Sequence, residues 1–476
     1  MSADAKATLV FIPFPVMSHL VSAVETAKLL ADRDNRLSIT VLLMKLPMDT
    51  KISSYTKNPP HHRINYVHLP ENSKSISADL IAAKNQTLRF VEVHKGRTRD
   101  AVAELMKARG SGRLAGVVLD MFCTPMIDVA NELDTPAYVF FPCGSSSLGL
   151  MLHLQSLNDD FDRDLKEYEE SDEEVSAPTY VNPVPARVWP ADIFDKEGGS
   201  LDFIKRWRES RGIVVNTFLE FESYAINSLS ADDKLPPVYP VGPIIQGGRE
   251  ETDENKRKHD EIVGWLDKQP DSSVVFLCFG THGCFESNLQ VKEIALALEQ
   301  SGQRFLWSLR KPPPKGTVEF PGEYENPEEV LPDGFLEHSK GIGKVIGWAP
   351  QMVVLSHPAV GGFVSHCGWN STLESVYCGV PMAVWPLVAE QQANAFLLAK
   401  EFEMVVEIKM DYRKNSGVVV DAETIEKAIR QLMNPDNTVR AKVKELQENS
   451  RRALTEGGSS FNVLGRLINN IMDNIS

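Results

Sequence analysis

Residues 362–374 read Gly-Phe-Val-Ser-His-Cys-Gly-Trp-Asn-Ser-Thr-Leu-Glu: an apolar run, GFVS, breaks into HCGWNSTLE and continues into a helical stretch closed by Cys378-Gly-Val-Pro381. An apolar run followed at once by a glycine turn and a helix is the strand-to-helix junction of a βαβ unit, whose strand lies in a parallel sheet. Such sheets bind ligands beyond the carboxyl ends of their strands. Gly368 permits close backbone approach, while Asn370 and Ser371 open a helix whose free N–H groups and positive dipole end favour a phosphate anion. A purely structural alternative exists, because Ser371-x-x-Glu374 is also the pattern of a capping box. That alternative leaves His366, Trp369 and the nearby Trp348-Ala-Pro-Gln351 without a purpose.

The same alternation extends along the chain. Thr8–Ile12, Ile39–Leu43, Gly116–Leu119, Tyr138–Phe141 and Ile213–Asn216 are short β-rich runs, with helical patterns such as Ala23–Leu30 and Met126–Leu133 between them. A second series follows at Val274–Phe279, Phe305–Leu309, Lys344–Ile346, Gly362–Ser365 and Met382–Trp385. The pattern therefore predicts an α/β protein of two Rossmann-like, parallel-sheet domains. Residues 1–243 form the first, a Gly-rich and charged stretch over 244–258 links them, and 259–455 form the second.

Composition excludes several function classes. Lys plus Arg number 50 against 65 Asp plus Glu, a net charge of −15, which repels nucleic acid and anionic membranes. A nucleotide partner should then be a small molecule. The six cysteines form no C-x-x-C pair, and no H-E-x-x-H or other metal-ligand cluster appears, so neither disulfide nor metal is expected. The acidic run 158–174 contains D-x-D spacings at Asp160, Asp162 and Asp164, but no strand carries them to a sheet edge, and we read them as a solvated loop. The N-terminus lacks a signal-peptide pattern and no stretch reaches the ~20 apolar residues of a membrane span, which predicts a cytoplasmic protein.

One further pair stands out. His19 directly follows the first strand and Asp120 directly follows the Gly116–Leu119 strand, so both fall on the same rim of one sheet despite lying 101 positions apart. There the imidazole would take a proton from a hydroxyl while the carboxylate orients the ring. A lone histidine at such a place is more often structural.

From Trp348 to Gln391 the text WAPQMVVLSHPAVGGFVSHCGWNSTLESVYCGVPMAVWPLVAEQ resembles the signature box of plant family-one UDP-dependent glycosyltransferases, inverting enzymes of GT-B architecture that glycosylate small molecules. Weaker similarity covers almost the whole chain, including FIPFPVMSHLVSAVETAKLL and VVLDMFC. The resemblance implies that Trp348 stacks on uracil and the Ala349 backbone reads its edge, that Gln351 and Glu374 hold the ribose, and that His366, Asn370, Ser371 and Thr281 hold the diphosphate. Trp369, Glu390 and Gln391 would face the sugar, the last two as a fork on adjacent hydroxyls, with UDP-glucose as co-substrate and no cofactor or metal. His19 and Asp120 receive the base and orienting roles reached above. A monomer is implied, with a last helix near Phe461–Ile475, within 456–476, crossing back to the first domain.

The acceptor is expected to be a phenolic or other plant-type metabolite, in an apolar pocket of Phe14, Met17, Phe122, Leu148 and Leu152. The chain departs from the family at Val16 and Ser18, where glycines are usual, at Pro142-Cys143 in place of Thr-Ser, at His282, which we place toward solvent, and at Glu403, where glycine is common. Val16 and Ser18 make the loop that carries His19 bulkier and less free to take positive φ. Two rivals differ in class. A dehydrogenase would need G-x-G-x-x-G after a strand, yet none follows Ile12 and Lys340-Gly-Ile-Gly343 precedes a strand. A catalytically silent nucleotide-sugar-binding protein is opposed by the intact His19 and Asp120.

Overall fold

The computed structural model describes residues 6–45, 50–57, 59–70, 85–107, 112–169, 171–246, 253–314, 320–414 and 416–475. The first half builds a seven-stranded sheet from β1 (Ala7–Ile12), β2 (Leu37–Leu43), β3 (Ile64–His68), β4 (Arg113–Asp120), β5 (Ala137–Phe141), β8 (Gly212–Val215) and β9 (Val238–Pro240), with a small hairpin of β6 (Glu174–Val175) and β7 (Val184–Pro185) set apart. The second half builds a six-stranded sheet from β10 (Val274–Cys278), β11 (Arg304–Ser308), β12 (Gly343–Ile346), β13 (Val360–Ser365), β14 (Met382–Val384) and β15 (Val405–Glu407). Every pairing in the two large sheets is parallel. Helices cover both faces, and this double burial is why β1, β10 and β13 read as largely apolar runs with every residue buried.

The strand orders, β3-β2-β1-β4-β5-β8-β9 and β12-β11-β10-β13-β14-β15, each reverse direction once, between β1 and β4 and between β10 and β13. At such a switch point the loops leave in opposite directions and open a crevice. His19 follows and Asp120 closes one such pair of strands, and Gly280 and His366 follow the other.

Of the linker 244–258, residues 247–252 lie outside the described ones; from Asp253 to Leu266 the chain is already helical. The helix Ser459–Asp473 belongs to the first sheet's core: Val463, Leu464, Leu467, Ile468 and Ile471, on one face at helical spacing, pack with the residues of β1, β2 and β4. Its docking is fixed by polar contacts, Tyr138 Oη donating to Asn470 at 2.7 Å and Asn474 Nδ2 donating to the Ala115 carbonyl at 3.0 Å. No helix among the described residues is long and apolar enough to cross a membrane.

Candidate active site

The two switch points face each other across a cleft of about 1900 Å³. On the first rim, His19 stands in the opening turn of the helix Met17–Arg33, and its Nδ1 lies 2.8 Å from Oδ2 of Asp120. The carboxylate is fully buried and its other oxygen accepts the Phe122 amide at 3.0 Å, so it has no freedom to turn away. The imidazole also stacks on Phe122, with centroids 5.3 Å apart. A carboxylate only accepts, so Nδ1 carries the proton and Nε2 is the basic nitrogen, a choice the sequence left open. Val16 takes an ordinary extended φ of −119° and its carbonyl accepts the amides of His19 and Leu20. The bulkier loop therefore delivers His19 to Asp120 without needing glycine.

Burial acts most strongly on His19 and disfavours its charged form, but the Asp120 charge and hydrogen bond, with a further contribution from Glu390, outweigh it and raise the imidazole above its ordinary 6.5. Glu390 thus sits within electrostatic reach of the base from the opposite domain. Its own carboxyl is raised by burial, against the opposing effects of hydrogen bonding and His19. Cys143 donates its thiol to Glu390 Oε1 at 3.5 Å, which gives the Pro142-Cys143 departure a contact with this sugar-facing candidate.

On the second rim, the helix Trp369–Cys378 begins after Gly368, and Gly368 rather than Ser371 is its N-cap. The capping-box reading fails here: Ser371 and Glu374 instead meet Gln351, whose Nε2 lies 2.8 Å from Ser371 Oγ and 2.6 Å from Glu374 Oε2. Burial pushes the Glu374 carboxyl up to about 7 despite the Gln351 bond. His366 lies between two glycine loops: a Cβ on Gly280 or on Gly368 would come within 2.5 Å of its Nε2. Burial, with a smaller effect of His282, pushes its pKa down to about 4, so it is neutral near pH 7. Its Nδ1 is buried with no hydrogen-bond partner among the described residues, a cost of about 1–3 kcal/mol unless a ligand satisfies it. Thr281 is exposed on the cleft, and Trp348 presents an indole that is 39% exposed. Ala349 is buried beside it.

The other candidates acquire contacts of their own, and Phe14, Leu148 and Leu152, expected in the acceptor pocket, are not among the residues lining the cleft. The Trp369 indole is only 2% exposed, donates Nε1 to the Asn216 carbonyl at 2.6 Å and stacks on Phe221; it packs in the domain interface and gives the cleft little more than an edge. The carbonyl of Gln391 accepts the Leu387 and Val388 amides, which leaves only its Nε2 for a fork with Glu390. The Asn370 amide reaches across to the first domain, toward Ser22 and Asn216. Leu148 and Leu152 are core residues, and Phe14 stands edge-on to Phe122 at 5.6 Å. Met17 and Phe122 do line the cleft, joined by Met151, Ile193, Phe203 and Trp207, which sequence reading missed. His282 is exposed but its ring meets Phe320 at 4.8 Å. Glu403 holds φ at 46°, the left-handed conformation that glycine takes without penalty, and pairs with Lys442 at 2.9 Å. In the acidic run Asp159 pairs with Lys205, and Asp164 caps the Lys166 amide and pairs with Lys196, all at the surface.

Two other polar residues escaped notice. Glu323 accepts the Trp348 amide at 3.1 Å and pairs with Lys258, anchoring the backbone of the indole platform. Asn216 follows β8 and is fully buried; the rule that singled out Asp120, a polar residue closing an apolar strand, would have found it.

Two facing doubly wound domains, with an anion-suited helix end on one rim and a His–Asp pair on the other, have the layout of a GT-B nucleotide-sugar transferase. The family described as UDP-glucoronosyl and UDP-glucosyl transferase matches residues 239–439. The chain is 52% identical to UDP-glucose flavonoid 3-O-glucosyltransferase 6 of Fragaria ananassa, over 97% of this chain and 98% of that one. It is similar to the crystal structure of a transferase from Siraitia grosvenorii in complex with UDP, with 45% identity, a TM-score of 0.88 and coverage of 98% and 100%. The structure of Medicago truncatula UGT71G1 complexed with UDP-glucose gives 41% identity, 0.84, and 98% of each chain. The protein belongs to the plant family-one UDP-dependent glycosyltransferases.

Proposed function

We propose that the protein transfers glucose from UDP-glucose to a hydroxyl of a small phenolic acceptor with inversion, giving a β-glucoside. The observation that carries this reading is the 2.8 Å His19–Asp120 pair facing the helix end of Trp369–Cys378 across one cleft. Relatives named for glucosyl transfer to flavonoids, and the UDP-glucose held by UGT71G1, support the donor and the acceptor class.

In this reading the acceptor lies among Met17, Phe122, Met151 and Phe203 with its hydroxyl at His19 Nε2. As the hydroxyl attacks, Nε2 takes its proton and Asp120 stabilises the imidazolium. The anomeric carbon becomes oxocarbenium-like, and negative charge grows on the departing diphosphate. His366, Ser371, Thr281 and the helix N-terminus are the donors for that charge. Trp348 is the surface for uracil, Gln351 and Glu374 the partners of the ribose, and Glu390 the partner of the sugar hydroxyls. One displacement leaves no covalent glycosyl-enzyme. NMR of the product from UDP-α-glucose and a flavonol should show a β-linked glucoside; an α-linkage would refute the single displacement.

The charge balance at His19 sets a pH profile. A base is active only when deprotonated, and the folded pKa of His19 is raised, so transfer should climb with pH through an acid limb centred above 6.5. In Asp120→Asn, burial is no longer outweighed, and the limb should move to lower pH while kcat falls by on the order of 10²-fold or more. An unmoved limb in that variant would mean a different titrating group.

A further inference from the structure

We infer that Asn216, Asn370 and Ser22 form a hydrogen-bond relay that ties occupancy of the diphosphate site to the placement of the base-bearing helix. Asn216 and Ser22 are then positioning residues for His19. The inference rests on the reading that a nucleoside diphosphate sits at the end of β13.

The direction of the relay is set by backbone groups at both ends. The Ile244 amide donates to Asn216 Oδ1 at 2.8 Å, so the other end of that carboxamide is the donor, and Nδ2 meets Asn370 Oδ1 at 3.2 Å. Asn370 in turn presents Nδ2 to Ser22 Oγ at 3.0 Å. The Ser22 hydroxyl passes its proton to the Ser18 carbonyl at 2.9 Å, which can only accept. Neither amide could be turned over without facing donor to donor or acceptor to acceptor.

The relay joins three parts of the chain that meet only in the assembled fold. Asn216 is fully buried after β8, and its own carbonyl also takes the Trp369 indole at 2.6 Å. Gly242 leaves it room, since a Cβ there would come within 2.6 Å of Asn216 Oδ1. Asn370 is the second residue of the helix that ends on the diphosphate site, and Ser18 immediately precedes His19. One hydrogen of Asn370 Nδ2 is used by Ser22, which leaves the second for a phosphoryl oxygen. An anion there fixes the carboxamide, and through Ser22 it fixes the first turn of Met17–Arg33. Buried chains of aligned donors strengthen one another, which suits them to this coupling.

The test is hydrogen–deuterium exchange on the full chain with and without UDP, beside UDP titration calorimetry and kinetics on a phenolic acceptor. In the parent protein UDP should slow exchange over residues 17–24 by about tenfold, the effect of one added hydrogen bond. Ser22→Ala should lose that protection and about tenfold in kcat, while UDP affinity and the KM for UDP-glucose stay within about twofold. Asn216→Ala should behave alike, and the double variant should be no worse than either single one, since both break the same chain. If Asn216→Ala does not fold, Ser22→Ala alone carries the test. Protection that survives in Ser22→Ala, losses that multiply in the double variant, or UDP binding without protection in the parent would each overturn the relay and leave the proposed function standing. Absence of UDP binding in the parent would overturn both.

Discussion

His19→Ala is expected to bind UDP with parental affinity and to lose about 10³–10⁴-fold in transfer to a phenolic acceptor. Two features of the structure give this prediction its asymmetry. The imidazole lies on the first rim, held by Asp120 and Phe122, while the candidate UDP-binding groups stand at the ends of β10 and β13 or after β12. Removing the ring therefore takes away the only imidazole that the first domain contributes among the described residues lining the cleft, and leaves the donor rim untouched. Calorimetry with UDP and a coupled assay for UDP release would separate the two quantities. Turnover near that of the parent would mean that another group accepts the proton, and a parallel loss of UDP affinity would mean that the ring holds the domains together instead of serving as base.

The His19–Asp120 pair was legible because Asp120 closes one apolar run and His19 opens the helix that follows another, and a parallel sheet sends all such junctions to one edge. Nothing in the spacing tells which ring nitrogen is basic; that depends on a 2.8 Å contact between a helix and a strand end 101 residues apart. The additional contacts of three other candidates have a cause of the same kind. Trp369, Asn370 and Gln391 carry the right chemistry for a ligand, and Trp369 and Asn370 are also partnered by Asn216, just beyond β8 of the other domain, through contacts that exist only once the domains dock. The side-chain oxygen of Gln391 is committed to its own loop amides, a turn geometry that residue types do not announce. Leu148 and Leu152 failed for another reason. The helix Ser145–Asp159 is buried almost all round along its first ten residues, so apolar periodicity does not mark the face that meets the cleft, which turns out to carry Met151. Glu403 also became interpretable only through its backbone angle, which retains the conformation that glycine would favour while adding an ion pair.

Gly280→Ala is expected to cost about 10²-fold in kcat/KM for UDP-glucose and to weaken UDP, although the new methyl group carries no charge and touches no substrate in the proposed reaction. Gly280 holds φ at 77°, and a Cβ at this position would lie 2.5 Å from Nε2 and 2.6 Å from Cε1 of His366. The imidazole cannot retreat toward Gly368, because the ring is already close enough there that a second Cβ would meet Nε2 at 2.5 Å. It must rotate or shift, and a buried donor displaced by even 1 Å no longer meets the oxygen on which charge develops. Gly302→Ala supplies the control. Its φ of 65° imposes a comparable backbone penalty, about 1 kcal/mol, while a Cβ there meets nothing within 4 Å. Both variants should lose similar stability in urea unfolding, and only Gly280→Ala should lose donor affinity and rate, to a level close to that of His366→Ala. Equal kinetic effects in the two glycine variants would assign the loss to backbone strain, and would remove His366 from the groups that carry the leaving diphosphate.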